Sequence, residues 1–379
     1  MNGRHRAIAA AFRIMAATGA DRWSRGFAQG RGVILTLHHV RPAERHGFAP
    51  NALLDLTPNF LDAALGLIRA EGYDLVSLDD AIARLQSPKR GRFFVALTFD
   101  DGYRDNVEHA WPVLAKHGAP WTLFVTPGFA DRTARLWWLE LEEAIRALPR
   151  LDLVLPDGRF TARTETDAEK DHAFSRLYWR LRKGPEAILL SAISDLARQA
   201  GVDPVALVER DCLPWETLRA LSGAPGVSIG AHTLTHPMLA KHDIEAARRE
   251  IVESQSRLEA ELGLPIRHFA YPVGDPGSAG AREFALVREA GFASAVTTRP
   301  GHLVAEHADH LHALPRVSLN GLHQNEAALR ALLSGLPFWL RNRGRAEQSW
   351  RIASTLGQAG GEQSEASSRH LRWAAAPQR

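Results

Sequence analysis

Phe93-Phe94-Val95-Ala96-Leu97-Thr98-Phe99-Asp100-Asp101-Gly102 is the stretch that decides how this chain folds. Residues 93–97, apolar throughout and mostly aromatic or branched, have the make-up of a buried strand. Thr98-Phe99-Asp100-Asp101-Gly102 closes that strand, so two adjacent carboxylates stand where it gives out into a loop. Neighbouring carboxylates repel, and a buried charge without compensation costs more still. A positive group is therefore expected beside them, and a metal ion is the simplest one.

Farther along, Val227-Ser228-Ile229-Gly230-Ala231 reads as another short strand, running into His232-Thr233-Leu234-Thr235-His236-Pro237. Two imidazoles four apart, just past a strand end and followed by proline, make a rigid loop that can aim both at one point. An aspartate with two histidines is a three-ligand set that leaves a coordination position open for water. A third strand, Gly32-Val33-Ile34-Leu35-Thr36-Leu37, ends at His38-His39-Val40. Delivering a histidine to a strand's C-terminal end is how an α/β barrel presents catalytic groups.

The segments between these strands complete the pattern. A helix from Thr57-Pro58 to Gly72 has proline at its start and glycine at its end. Then follow a strand at 74–78, a helix at 79–86, a helix at 106–117, and the strand Trp121-Thr122-Leu123-Phe124-Val125. This alternation predicts parallel strands wound into a sheet or barrel. It resumes with helix 215–222 and with helix 243–262, whose Ile244, Ala247, Ile251, Leu258 and Leu262 mark a buried face. A strand at 292–297, a turn at Arg299-Pro300-Gly301, the strand Ala313-Leu314-Pro315-Arg316-Val317-Ser318 and a helix at 325–340 finish it. From about 131 to 213 the expectation is a helical insertion over one face of the barrel. It holds amphipathic helices at 136–148 and 171–183, a turn at Pro156-Asp157-Gly158 between them, and no buried strand. Trp137, Trp138, Tyr178 and Trp179 are read mostly as its core.

The 379 residues are 45% hydrophobic and 23% charged, the composition of a soluble globular protein. Basic residues number 46 and acidic 43, mostly interspersed, so a net charge of +3 gives no argument for a nucleic-acid partner. The single cysteine, Cys212, excludes an internal disulfide framework and fits a reducing compartment. Residues 1–6 are basic and 7–20 mostly apolar, but Arg13 interrupts the run, and Ala7, Ala10, Ala11, Ile14 and Ala17 recur at helical spacing. An amphipathic helix within 1–30 is thus expected rather than an export signal, with a barrel domain at 31–340 and a polar, disordered tail at 341–379. No stretch is long enough to cross a bilayer, and a cytoplasmic location is expected. There is no internal repeat and no phosphate-binding glycine loop.

Thr98-Phe99-Asp100-Asp101-Gly102 followed by His232-Thr233-Leu234-Thr235-His236 resembles the first two motifs of the polysaccharide deacetylases, the NodB-homology or fourth carbohydrate esterase family. The resemblance implies a distorted (β/α) barrel of about seven parallel strands. It implies a metal-dependent hydrolase that removes N-acetyl groups from amino sugars in an oligo- or polysaccharide. Asp101, His232 and His236 would hold a divalent ion, zinc first, with cobalt, nickel or iron also suited to such ligands. Asp100 would be the base. His38 falls on a histidine that in relatives protonates the leaving amine, but Leu37 replaces the usual tyrosine and His39 adjoins, so either imidazole could face the site. Arg267-His268-Phe269-Ala270-Tyr271-Pro272-Val273-Gly274 resembles the third motif, in the Phe-Ala-Tyr-Pro form of subfamilies acting on exopolysaccharides. By this likeness Val273 offers a backbone N–H to an oxyanion, with Tyr271 and Pro272 beside the substrate. Ala270 stands where an arginine more often holds the catalytic aspartate. Arg316, on a late strand that could end beside Asp100 in a closed barrel, is the candidate replacement, with Arg267 and His268 behind it. Two other functions stay open: a carbohydrate-binding protein that holds metal without turnover, and a hydrolase of a non-sugar amide. The glycan is a chitooligosaccharide or lipid-linked precursor for a cytoplasmic protein, and an exopolysaccharide or cell wall for an exported one.

Overall fold

A computed structural model describes residues 3–43 and 47–345. The tail expected to be disordered, with Trp350 and Trp373, lies outside the described residues apart from its first five. Among the described residues there are twelve strands: β1 Gly32–Leu37, β2 His39–Val40, β3 Asp55–Leu56, β4 Asp74–Val76, β5 Phe94–Phe99, β6 Trp121–Val125, β7 Arg150–Leu155, β8 Gly158–Arg163, β9 Val227–Ala231, β10 His268–Ala270, β11 Ser294–Pro300 and β12 Leu314–Ser318. Seven of them, in the order β1-β12-β11-β10-β9-β6-β5, form a parallel sheet that closes when β5 pairs with β1. The eighth, β4, pairs with the first half of β5 while β6 pairs with the second half. Of the sheet or barrel that the alternation allows, this is the (β/α) barrel of seven parallel strands that the resemblance implies.

Burial follows from closure. Both β1 and β5 are buried at all six positions, the continuous apolar strands of a parallel sheet covered on both faces. Their register runs from Gly32↔Phe94 to Leu37↔Phe99, which sets His38 and Asp100 level at the same end of the barrel. Likewise Val125↔Ala231 pairs the ends of β6 and β9, and His232 leaves the ladder there with its N–H on the Val125 carbonyl at 2.9 Å. Between β9 and β10 the ladder has a single pair, Phe269↔Ala231.

Several boundaries differ from the sequence reading. The segment between the Trp137–Ala147 and Asp167–Lys183 helices is a hairpin, β7–β8, and not a bare turn. Leu151, Leu153 and Leu155 face inward while Val154 is exposed, a period-two pattern on one buried face. Two more helices, Glu186–Ala200 and Pro204–Asp211, complete this region. Its own core gathers Trp137, Trp138, Leu141, Phe160 and Leu177, so the two tryptophans are core, while Tyr178 and Trp179 are half-buried. The helix after β5 opens with a π-helical turn, Asn106–Ala110, before Trp111–Lys116. Strand β11 runs through Pro300 instead of turning at Arg299. Ile244, the first residue of the Ile244–Leu262 helix, is exposed. The last helix is broken at Gly335, whose φ of 79° and contact with the Ala28 carbonyl leave no room for a side chain.

The first helix, Gly3–Thr18, packs on Glu326–Ser334 through Phe12, against Ala328 and Ala331, with Ile8 and Met15 alongside. Its buried stripe is therefore not the alanine-rich one containing Ile14, which stays exposed. The larger side chain decides, since Phe12 removes far more apolar surface from water than several alanines. No described helix is long and apolar enough to cross a membrane.

Candidate metal centre and active site

The loops at the C-terminal ends of β5 and β9 meet at Asp101, with the loop after β10 beside them through the Ala270 carbonyl. Its Oδ1 lies 3.4 Å from His232 Nε2 and 3.3 Å from His236 Nε2, and all three side chains are buried. Such separations are the edges of a tetrahedron about a centre roughly 2.0–2.2 Å from each donor, which suits nitrogen and carboxylate ligands of a divalent ion. Asp101 Oδ1 is buried without a hydrogen-bond partner among the described residues. A buried carboxylate oxygen left unpaired is costly unless a cation completes it. His232 Nδ1 meets the Ala270 carbonyl at 2.7 Å, which places the proton on Nδ1 and turns the Nε2 lone pair toward Asp101. The residues present thus fit a metal.

The backbone is bent to this purpose. Six non-glycine residues among those described have positive φ, and four belong to these loops: Asp101 at 72°, Thr233 at 60°, His236 at 67° and Val273 at 62°. Each such residue costs on the order of 1–3 kcal/mol and needs firm support. The histidine loop has it. Thr233 Oγ1 accepts the His236 N–H at 3.0 Å, and Glu250 takes the Thr235 N–H at 2.8 Å and hydroxyl at 2.7 Å. Thr126 donates to the His232 carbonyl at 2.7 Å.

Asp100 sits beside this centre in a different setting. The Arg316 guanidinium donates to its two oxygens at 2.7 Å each, to Thr98 Oγ1 at 3.1 Å and to the Thr297 carbonyl at 2.9 Å. Arg316 is 0% exposed, and Asp100 beside it is 2% exposed, so the pair is fully buried. Arg267 and His268 are elsewhere, both on Asp79, with His268 Nδ1 also meeting Ser294. Burial alone would raise the Asp100 carboxyl, but Arg316, His232 and His38 outweigh it and hold it below its ordinary value. Asp101 is likewise raised by burial and pulled well below the ordinary range by the His232 and His236 imidazoles. Burial lowers His232, yet Asp101 and Asp100 reverse the sign and leave it raised.

The two adjacent histidines separate cleanly. His38 Nε2 is 3.9 Å from Asp100 Oδ2, whereas His39 turns to Asp105, Nδ1 to Oδ2 2.6 Å, and stacks on Tyr103 at 3.6 Å. His38 is the imidazole that faces the site. Burial lowers its pKa, against the opposing pull of Asp100 and Asp101. Asn106, from the π-helical turn, fixes the His38 carbonyl at 2.7 Å.

Of the third-motif residues, Val273 carries its strained φ with its carbonyl held by Thr298 Oγ1 at 2.6 Å, and its N–H donates to nothing among the described residues. The Pro272 carbonyl accepts the Gly274 N–H. The Tyr271 side chain is turned away: it is fully buried between Phe269 and Phe284, with its hydroxyl on the His312 carbonyl at 2.9 Å. Sequence reasoning missed three neighbours. Asp105 holds His39 and the Val40 N–H. Tyr103 accepts a hydrogen bond from Trp138 Nε1 at 3.2 Å, and the Trp138 ring lies 4.8 Å from His236. Asp105 and Tyr103 lie within five residues of Asp100, but only the register of β1 with β5 shows that they back His39.

A parallel barrel thus carries an Asp-His-His cluster and an arginine-clamped carboxylate at the C-terminal end of its strands. The polysaccharide deacetylase family model matches residues 87–294, more than half of the chain. The chain belongs to the polysaccharide deacetylase family. It is 32% identical over 81 residues to YxkH of Bacillus subtilis strain 168, a polysaccharide deacetylase by name; the match spans 21% of this chain and 29% of that protein. Among solved structures it is similar to the Streptococcus pyogenes deacetylase PplD in complex with acetate (TM-score 0.51, 18% identity, 76% of this chain and 92% of that one). It is similar also to IcaB from Ammonifex degensii (TM-score 0.50, 17% identity, 80% and 97%). These structural likenesses are of fold.

Proposed function

We propose that the protein is a metal-dependent N-deacetylase acting on amino sugars of an oligo- or polysaccharide, of the chitooligosaccharide or exopolysaccharide type, in the cytoplasm. The observation that carries this reading is the orphaned Asp101 oxygen between two imidazoles, next to a carboxylate that Arg316 holds ionised. Asp101, His232 and His236 would hold the ion. Bound there, zinc or a similar divalent metal supplies a Lewis acid for the acetamide carbonyl and lowers the pKa of water. Asp100 accepts the proton of the attacking water, and the two bonds from Arg316 fix its orientation. The Val273 N–H hydrogen-bonds the carbonyl oxygen as it gains charge. His38 protonates the departing nitrogen as the C–N bond breaks, leaving acetate and a free amine. Trp138 and Phe129, packed at a tilt about His236, shield that side from water.

A binding protein without turnover was kept open by Ala270, and Arg316 on Asp100 argues against it. The test is acetate release from N-acetylglucosamine oligomers by the purified chain, after chelation and again with zinc. Zinc-restored release that is lost in Asp100→Asn supports the reading. Release that survives chelation, or that persists in Asp100→Asn, sinks it.

A further inference from the structure

Among the described residues, the helices before β1 and the last helix leave an aromatic strip exposed. Trp23 is 64% exposed, Phe27 51% and Leu340 58%. The Trp23 and Phe27 rings lie 6.2 Å apart, and Phe27 meets Trp339 at 5.0 Å, so these are one continuous strip and not scattered exposures. Ile14, on the outer side of the first helix, is exposed as well.

The charge around the strip is lopsided. Residues 1–31 and 326–345 hold ten arginines against two acids, Asp21 and Glu326, in a chain whose net charge is only +3, and Glu71 from outside these segments pairs with two of them, Arg25 and Arg330. Asp21 is buried. Arg13, Arg22, Arg343 and Arg345 are exposed, with no ion pair drawn to them from the described residues. Arg22 adjoins Trp23, and Arg343 follows Trp339 and Leu340.

We propose that this strip docks the protein on a bilayer rich in anionic phospholipid. Trp23, Phe27, Trp339 and Leu340 enter the headgroup boundary, the two indoles favoured there by their one polar edge and the other two by burial of apolar surface. The surrounding arginines meet the lipid phosphates. A second copy of the chain is a poorer occupant, because a two-fold interface would set the arginine-rich rim against itself. The strip lies at the end of the barrel where β1 begins: Gly335 packs on Ala28, four residues before Gly32. Asp100, Asp101 and His232 stand past the opposite ends of the strands. Docking therefore keeps the enzyme at the surface with its site directed to the aqueous side, and this holds whether or not the proposed chemistry does.

The test is flotation of the full chain with vesicles of phosphatidylcholine alone and of phosphatidylcholine with about one third phosphatidylglycerol, at about 0.1 M salt. The protein is expected to float only with the anionic vesicles. Trp23→Ser with Phe27→Ser should lower partitioning roughly tenfold, and Arg22→Gln or Arg343→Gln roughly fivefold each, with circular dichroism and the thermal midpoint unchanged. Failure of the wild type to float with anionic vesicles overturns the proposal. So does flotation indifferent to Trp23 and Phe27, a dimer in light scattering that depends on those two rings, or tighter capture by RNA than by vesicles.

Discussion

Replacing Arg316 by methionine keeps most of the stem's volume and deletes the guanidinium. Four hydrogen bonds go with it, two of them to Asp100, which is 2% exposed. The carboxylate left behind is buried and faces only His38 and His232 as compensating groups. Removing one partner of a buried pair costs about 3–5 kcal/mol. Asp100 can relieve part of that by taking up a proton, so Arg316→Met should fall near the lower end. Burial, which raises Asp100, would then be opposed by the imidazoles alone, and the carboxyl should titrate higher. In the wild type the pair's stabilisation is complete above the ordinary carboxylate range and fades as pH falls through the lowered Asp100 value. In Arg316→Met that window should disappear, and the acid limb of activity should move to higher pH. Urea unfolding followed by tryptophan fluorescence measures the loss, with the slope in denaturant unchanged. Asp100→Leu combined with Arg316→Met should recover most of it, because both charges leave together. A single-variant loss below about 1 kcal/mol, the size of an exposed pair, would refute this reasoning, and so would a double variant that loses the sum of the two singles.

Zinc should bind the wild type in equilibrium dialysis, and both Asp101→Asn and His236→Ala should abolish measurable binding without unfolding the chain. His302 is buried between the Gly30 N–H and the Leu332 carbonyl, and burial takes its pKa from 6.5 to about 4. The neutral ring's contribution is complete above pH 6.5 and falls by up to about 3 kcal/mol as pH drops toward 4, so His302→Gln should flatten the stability profile across that interval. Equal slopes in the two proteins would count against it. His38→Gln should lower kcat roughly a hundredfold or more with little change in KM. His39→Gln should instead lower the thermal midpoint, because it breaks the buried contact with Asp105.

Most of the barrel was legible because its signals are local. Phe94–Phe99 is apolar at nearly every position, and Pro58 and Gly72 bracket one helix. The two site loops were legible only as a pair, since an Asp-Asp-Gly turn or two loop histidines alone are commonplace, and the fold brings Asp101, His232 and His236 together. What was not legible depends on closure. Nothing near Arg316 in sequence shows that Asp100 is its partner, since 216 positions separate them and only the ring of strands brings them together. His38 and His39 are alike in sequence, and the in-register pairing of β1 with β5 decides between them. The β7–β8 hairpin was hidden because a two-stranded ribbon on an insertion shows its alternation over only six residues a side. Phe12 overrode the alanine pattern of the first helix because the partner helix offers Ala328 and Ala331 to pack against.

The barrel wall between β9 and β10 is laced by one backbone pair, and the His232 imidazole supplies another tie there through the Ala270 carbonyl. His232 thus acts as a rivet in the cylinder as well as a member of the candidate metal cluster. A lesion at that position strikes two targets at once, and loss of turnover after His232→Ala would not tell a vacant ligand position from a wall that has come apart. His236 rides on the loop outside the ladder, so it is the position at which the site can be emptied while the cylinder stays whole.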